Sequence, residues 1–315
     1  MSGFLLNPYA LGSAGLYEFT TFTFTNGGIT GDTGPTLSNL LSSYSTATYP
    51  WLNNTAYFNM VTQGIQIWTV PATGNYTIDA YGAKGGNAGG TGGSGARVLG
   101  TFALTAGQKI RILVGQKGTD INNLNAGGGG GTFVMKETGS STADIYVIAG
   151  GGGGGYYGSY STNQSYAAGS GTTTANYGWS AGSKQNAGAP GTNGSGGGVH
   201  PSYNDGGGGG GGLIGNGATG QYGAGTSSAG SGGFSFVNGG SAATGKSFPG
   251  GFGGGGSGDW YNWTGGGGGG GYNGGGGGHY YGVGGGGSSY NNGTNQTNTS
   301  GANANHGKVI ITKLG

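Results

Sequence analysis

Three groups of residues in this chain are of a type that does chemistry: a lysine–serine pair behind glycines, three histidines, and many aromatic rings set among glycine runs. Gly240-Ser-Ala-Ala-Thr-Gly-Lys246-Ser247 satisfies the phosphate-loop pattern, and Phe234, Ser235, Phe236 and Val237 before it read as a strand. That loop works only where a helix begins at its lysine, so that the first backbone N–H groups face phosphate. Phe248-Pro-Gly-Gly follows and forbids the helix, so no nucleotide site is expected. His200, His279 and His306 lack a second ligand at i+2 to i+4 and are expected as loop or strand-end residues, not metal ligands. The eight acidic residues are scattered singly and offer no paired carboxylates, with Asp79 and Asp144 read as strand-edge charges. Neither enzyme activity nor a cofactor or metal is expected.

The rings remain. Trp68 and Tyr81 sit in strand patterns and read as core or sandwich-face residues. Tyr156, Tyr157, Tyr160, Tyr177 and Trp179, with Trp260, Tyr261, Trp263, Tyr280 and Tyr281, fall in loops between glycine runs. Two readings stand. The rings seal exposed backbone at the ends of the runs, or, rigid and able to hydrogen-bond, they contact a glycan or a protein.

The elements that would position them are β-strands. Residues 17–25 (YEFTTFTFT), 56–60, 64–70 (GIQIWTV) and 75–83 are rich in β-branched and aromatic residues. Tyr76, Ile78 and Ala80 alternate as in a half-buried strand. Residues 71–74 form a turn opened by Pro71. Residues 96–104 and 109–114 flank a short turn and predict a hairpin, and 132–137 with 144–149 predict another pair. No segment supports a long helix; residues 35–44 allow two turns at most. The framework is therefore all-β, with strands at sandwich spacing. Residues 308–314 (KVIITKL) form one more strand, whose partners are expected in the first half. The glycine-rich part is then an insertion tied at both ends. The expected division is an extended anchoring segment at 1–16, a β-sandwich from 17–149 and 307–315, and an inserted glycine-rich unit at 150–306. The run at 126–131 contributes to that unit, and the polar stretches 156–205 and 291–305 read as exposed loops.

With 90 glycines in 315 residues, a flexible linker is the plain reading of that insertion. Fixing a glycine costs more backbone entropy than fixing any other residue, and a glycine run buries no side chain in return. The alternative is a bundle of polyglycine II helices, with three residues per turn and about 3.1 Å per residue. Without Cβ atoms, such helices approach until each N–H meets a carbonyl of a neighbour. The runs at 126–131, 150–155, 206–212, 253–256, 265–271, 274–278 and 284–287 hold only glycine apart from Ala126. That purity favours packing, since a linker would tolerate Ser, Lys or Glu.

A net charge of +2 is too small to imply a nucleic-acid or anionic-membrane partner. The only arginines, Arg97 and Arg111, lie in strands, which excludes arginine-glycine RNA binding. No cysteine is present, so disulfide scaffolds and zinc-thiolate sites are excluded. The start of the chain lacks the basic and apolar regions of a signal peptide, and no apolar stretch approaches the roughly 20 residues of a membrane span.

Several strings then occur in a familiar order: GPT at 34–36, GIQIWTVPATG at 64–74, YGA at 81–83, ILVGQ at 112–116, AGGGGGTFV at 126–134, VIAGGGGG at 147–154, GGFGGGG at 250–256 and GGGGGGGYNGG at 265–275. From Tyr17 onward the chain resembles the glycine-rich region of the anaplastic lymphoma kinase and leukocyte tyrosine kinase receptors. The resemblance implies a TNF-like jelly-roll β-sandwich carrying an inserted bundle of polyglycine II helices. The family's paired cysteines fall at Gly27 and Leu40, so that disulfide is absent, and no kinase or transmembrane segment is found. Receptor signalling is not carried over. Similar glycine-rich sandwiches occur in structural proteins of bacteriophages and large DNA viruses, and Ser2-Gly-Phe-Leu-Leu-Asn-Pro-Tyr9 resembles the N-terminal segments of such virion proteins. The expected function is a non-enzymatic virion surface protein, a homotrimer by analogy, acting in capsid or tail assembly and host attachment. Phe4, Leu5, Leu6, Asn7, Pro8 and Tyr9 would dock it to other virion proteins, and a host glycan or protein would be its external partner. The alternatives are an extracellular ligand-binding module and a self-assembling adhesive or filament protein.

Overall fold

A computed structural model describes residues 15–122, 124–156, 164–180, 185–202, 206–222, 227–244, 248–260 and 265–315. The strands in chain order are β1 (Thr21–Phe24), β2 (Phe58–Met60), β3 (Ile65–Thr69), β4 (Gly74–Tyr81), β5 (Gly95–Leu104), β6 (Lys109–Leu113), β7 (Thr132–Lys136) and β8 (Ile145–Ala149). The two-residue strands β9 (Trp179–Ser180), β10 (Gln185–Asn186), β11 (Gln221–Tyr222) and β12 (Ser227–Ser228) make two small ribbons. Strands β13 (Tyr290–Asn291), β14 (Thr294–Asn303) and β15 (Lys308–Lys313) complete the set. Two short helices, α1 (Leu37–Ser43) and α2 (Gln164–Ala167), accompany them. Among the described residues no helix is long and apolar enough to cross a membrane.

The strands form two antiparallel sheets, ordered β1-β15-β4-β5-β14 and β13-β8-β7-β6-β3-β2. Their inner faces share one core. Phe24, Tyr76, Ile78, Val98 and Ile311 from the first sheet meet Trp68, Ile110, Ile112, Val134 and Val147 from the second. Each large side chain buried there contributes about 1.5–3 kcal/mol. Helix α1, capped by Thr36, whose Oγ1 accepts from Asn39 N, sets Leu40 and Tyr44 against that core. The Tyr44 hydroxyl donates to Gln66 Oε1 at 2.9 Å, and burial pushes its pKa up to about 12.

As expected, β15 pairs with a first-half strand, β4, and also with β1, while β7 pairs with β8. The hairpin expected from residues 96–104 and 109–114 does not form. Strand β5 pairs with β4 and β14, whereas β6 pairs with β3 and β7, so the turn between β5 and β6 carries the chain from one sheet to the other. Residues 291–305, read as a loop, instead supply β14, a ten-residue edge strand on β5. Sandwich strands therefore resume before residue 307. The stretch 156–205 includes helix α2 and the β9–β10 ribbon. Phe234–Val237 is not a strand; it runs into a turn.

The second sheet is buried on both faces: every residue of β3 and β8 is buried, and β8 (IYVIA) is a continuous apolar run. Its outer face is covered by glycine-rich segments, through Leu213, Phe236, Phe252 and Tyr272 packed on Ile65, Leu113, Phe133, Met135, Ile145 and Ile148.

The glycine segments themselves are buried and hydrogen-bonded to one another, with a repeat of three. Gly207 and Gly210 donate to Gly278 and Gly275, Gly208 and Gly211 to Ser257 and Gly254, and Gly209 and Gly212 to Ala218 and Gly215. The segment 265–271 lies innermost. Gly266 and Gly269 donate to Gly282 and Gly285, Gly267 and Gly270 to Ala126 and Gly129, and Gly268 and Gly271 to Gly208 and Gly211. Its carbonyls accept from Gly278, Gly154, Gly256, Gly275 and Gly151. The N–H groups of Gly266 to Gly271 are thus each satisfied by another segment, as a buried backbone requires.

Candidate functional site: the aromatic end of the glycine segments

One end of the glycine segments rests on the second sheet. The other end is marked by Ala126, Gly155, Gly265, Gly278 and Gly282, tied by Ala126 N to Gly155 O at 3.0 Å, Gly278 N to Gly266 O at 2.8 Å and Gly266 N to Gly282 O at 3.0 Å. The chain leaves 274–278 and returns antiparallel along 282–287, with Gly285 N donating to Gly276 O at 2.7 Å. Only His279, Tyr280 and Tyr281 are available to reverse it. Tyr280 and Tyr281 therefore adopt φ of 39° and 66°, the left-handed region that side chains disfavour.

Around this reversal the structure gathers part of the expected aromatic set. Tyr156, Trp179 and Tyr281 join Tyr166, Ala167 and Val283 in one cluster. Tyr156 meets Tyr281 edge-on at 5.4 Å, and Trp179 lies 4.9 Å from Tyr166. Backbone bonds hold the cluster in place: Trp179 N donates to Val283 O at 2.9 Å, and His279 N to Trp179 O at 3.1 Å. The Tyr280 ring lies 4.7 Å from that of Tyr281, and the residue is 40% exposed. Tyr156 is thus buried within the cluster at the segment ends, while Tyr280 is exposed beside it.

Trp260 stays outside this cluster. It is exposed and stacks on Phe248 at 6.2 Å. Tyr177 is also exposed. Tyr157, Tyr160, Tyr261 and Trp263 lie outside the described residues, as do Phe4, Leu5, Leu6, Asn7, Pro8 and Tyr9.

The histidines differ from expectation. His200 and His279, read as isolated, are buried with ring centroids 4.2 Å apart at the same end. They stand 79 positions apart, and no spacing rule links them. His306 Nδ1 accepts from Lys117 N at 3.0 Å. Among the described residues no three His, Cys, Asp or Glu side chains are grouped to hold a metal. Lys246 and Ser247 of the phosphate-loop pattern lie outside the described residues. Ahead of them, Ala242 and Ala243 donate to Asp32 O and Gly255 O as part of the glycine packing.

Asp79, read as a strand-edge charge, lies in β4, the middle strand of its sheet, where Arg97 grips it. Asp144 ends the short 3-10 turn Thr142–Asp144 and accepts from Ser141 N and Oγ.

No family model matches the chain. The chain is 34% identical over 123 aligned positions to the leukocyte tyrosine kinase receptor of Mus musculus, a match that covers 36% of the chain and 12% of that receptor's length.

Proposed function

We propose that this chain is a non-enzymatic surface module of a virion. Its glycine segments are polyglycine II helices standing on a TNF-like jelly-roll sandwich, and their outer end contacts the host. The three-residue repeat of hydrogen bonds supports the helices: each neighbour is met again after three residues, the period of that conformation. Such a body is stiff without a conventional core, and it holds the connections between its helices in fixed positions.

The reading rests chiefly on Tyr280 and Tyr281. In a chain where glycine is the commonest residue, two consecutive tyrosines occupy backbone conformations that glycine would adopt without strain. Strain held at an exposed aromatic position marks a site kept for its side chains. Anchoring through residues 1–16 and assembly as a homotrimer belong to the same proposal. The test is proteomics and labelled imaging of purified particles, with competition of adsorption by the soluble chain. Absence from particles would sink the virion assignment, and adsorption unaffected by the soluble chain would sink the host contact.

A second reading, an extracellular ligand-binding module, is favoured by the 123-residue likeness to a receptor. It predicts a soluble ligand captured by the chain from culture medium, with no particle association.

A further inference from the structure

Away from the aromatic end, three separate parts of the chain bring two lysines and a histidine together. Lys84 follows β4, Lys117 lies between β6 and β7, and His306 precedes β15. Backbone bonds tie them: Lys84 N donates to Asn305 O at 2.9 Å, Gly118 N to Lys84 O at 3.0 Å, and Lys117 N to His306 Nδ1 at 3.0 Å. Asn303 Nδ2 pins the third part by donating to Gly82 O at 2.7 Å and His306 O at 2.9 Å. Among the described residues one carboxylate pairs with the group. Asp120 accepts from Lys117 Nζ at 2.5 Å and from Asn87 N at 2.7 Å.

The charge does not balance. Lys84 is only 8% exposed, its ammonium donates to the neutral amide oxygen of Asn87, and among the described residues no carboxylate forms an ion pair with it. A buried cation held by a neutral acceptor is costly unless a counter-charge arrives. Burial first, and Lys117 second, push the Lys84 pKa down, and the Asp120 charge opposes them without reversing the shift. His306 takes a hydrogen bond at Nδ1, so its ring proton sits on Nε2 and supplies a further donor. The rim is open to solvent, since the Asp120 side chain is half exposed and Thr119 and Asn305 are exposed.

We infer that Lys84, Lys117 and His306 form a binding site for a small oxyanion, a sulfate or a carboxylate group. Lys84 is the charged floor, Lys117 and His306 are the sides, and Asp120 is the internal competitor that holds Lys117 when the site is empty. The same chemistry comes from free inorganic anion or from an acidic sugar. Charge-assisted bonds from two ammonium groups suit either source. The site is independent of the aromatic end and does not rest on host contact.

The test is thermal unfolding of the full chain titrated with sodium sulfate or sodium glucuronate, against sodium chloride at equal ionic strength. A saturable rise in Tm above the chloride control is expected, lost in Lys84→Met, a variant that removes a buried charge and keeps the stem. Asp120→Asn frees Lys117 and is expected to tighten anion binding by roughly threefold, the scale of an exposed ion pair. Saturation at lower glucuronate than sulfate would assign the site to acidic sugars; the reverse order would assign it to the inorganic ion or a sulfate ester. Melting curves identical to chloride, or a saturable shift that survives in Lys84→Met, would overturn the assignment. Should Lys84→Met fail to fold, weakened binding in Asp120→Asn would overturn it equally.

Discussion

A Cβ on Gly277 would stand 1.8 Å from the carbonyl oxygen of Gly207, a separation that no real methyl group tolerates. The two segments are in backbone contact, and a side chain at that point must push them apart. Gly198 lies in the same layer, but its Cβ would meet Ala189 O at 3.5 Å, an ordinary contact. Gly277→Ala is therefore expected to cost about 3 kcal/mol or more, as overpacking of a rigid layer does. Gly198→Ala should stay within about 1 kcal/mol and gain from the lost flexibility of the unfolded chain. Urea denaturation of the full chain measures both. Equal tolerance at the two positions would restore the flexible-linker reading.

Tyr280 separates capping from gripping. Its backbone sits at φ 39°, where glycine is unstrained, and the residue is 40% exposed. Tyr280→Gly is expected to leave stability unchanged or raise it by about 1 kcal/mol, and to weaken competition for host adsorption at the same time. Calorimetry and the adsorption assay read the two effects. A clear fall in Tm with adsorption intact would make Tyr280 a cap and nothing more.

Strands that face the core announced themselves through apolar side chains. Tyr76, Ile78 and Ala80 alternate, and all three are fully buried. Which sheet a strand joins was not legible, because alternation reports faces and not partners. The turn between β5 and β6 looked like a hairpin for that reason, although Val70 clamps it from the other sheet, donating to Gln108 O and accepting from Gly107 N. Strand β14 was invisible for a different cause. Its residues are almost all exposed on both faces, so residues 294–300 carry no apolar side chain to set a period. The glycine packing was legible as a demand for bare backbone, while the contact of His200 with His279 depends on how distant segments lie side by side.

Arg97 on β5 grips Asp79 on β4 with a two-pronged contact, Nε to Oδ1 and Nη2 to Oδ2, each at 2.9 Å. The Tyr81 hydroxyl donates to the same carboxylate at 3.0 Å, and the guanidinium lies 5.6 Å from the centre of the Tyr81 ring. A lysine cannot reproduce the fork or the stacking. Arg97→Lys is expected to cost about 1 kcal/mol and Arg97→Met about 2 kcal/mol, since the latter leaves Asp79 without its cation. Adding Asp79→Asn to Arg97→Met should recover part of the loss. A double-mutant cycle by urea denaturation measures the coupling, and strictly additive losses would show that the pair contributes nothing.

His306 makes stability depend on pH in a definite direction. Burial first, then the nearby Lys117 charge, hold its pKa below the ordinary 6.5. Its Nδ1 must also stay unprotonated to accept from Lys117 N. As the pH drops below 6.5, the unfolded chain takes up a proton at this residue before the folded chain does. The stabilisation is therefore complete above the unfolded value and is lost as the pH falls toward the depressed folded value. His306→Asn keeps an acceptor near the Nδ1 position and cannot take up the proton. Between about pH 7.5 and about pH 5, the wild-type chain is expected to lose more stability than this variant. Urea unfolding across that range, compared between the two proteins, reads the difference directly. Parallel pH profiles would mean that the imidazole titrates alike in both states, and that the Lys117 N–H bond does not depend on its neutral form.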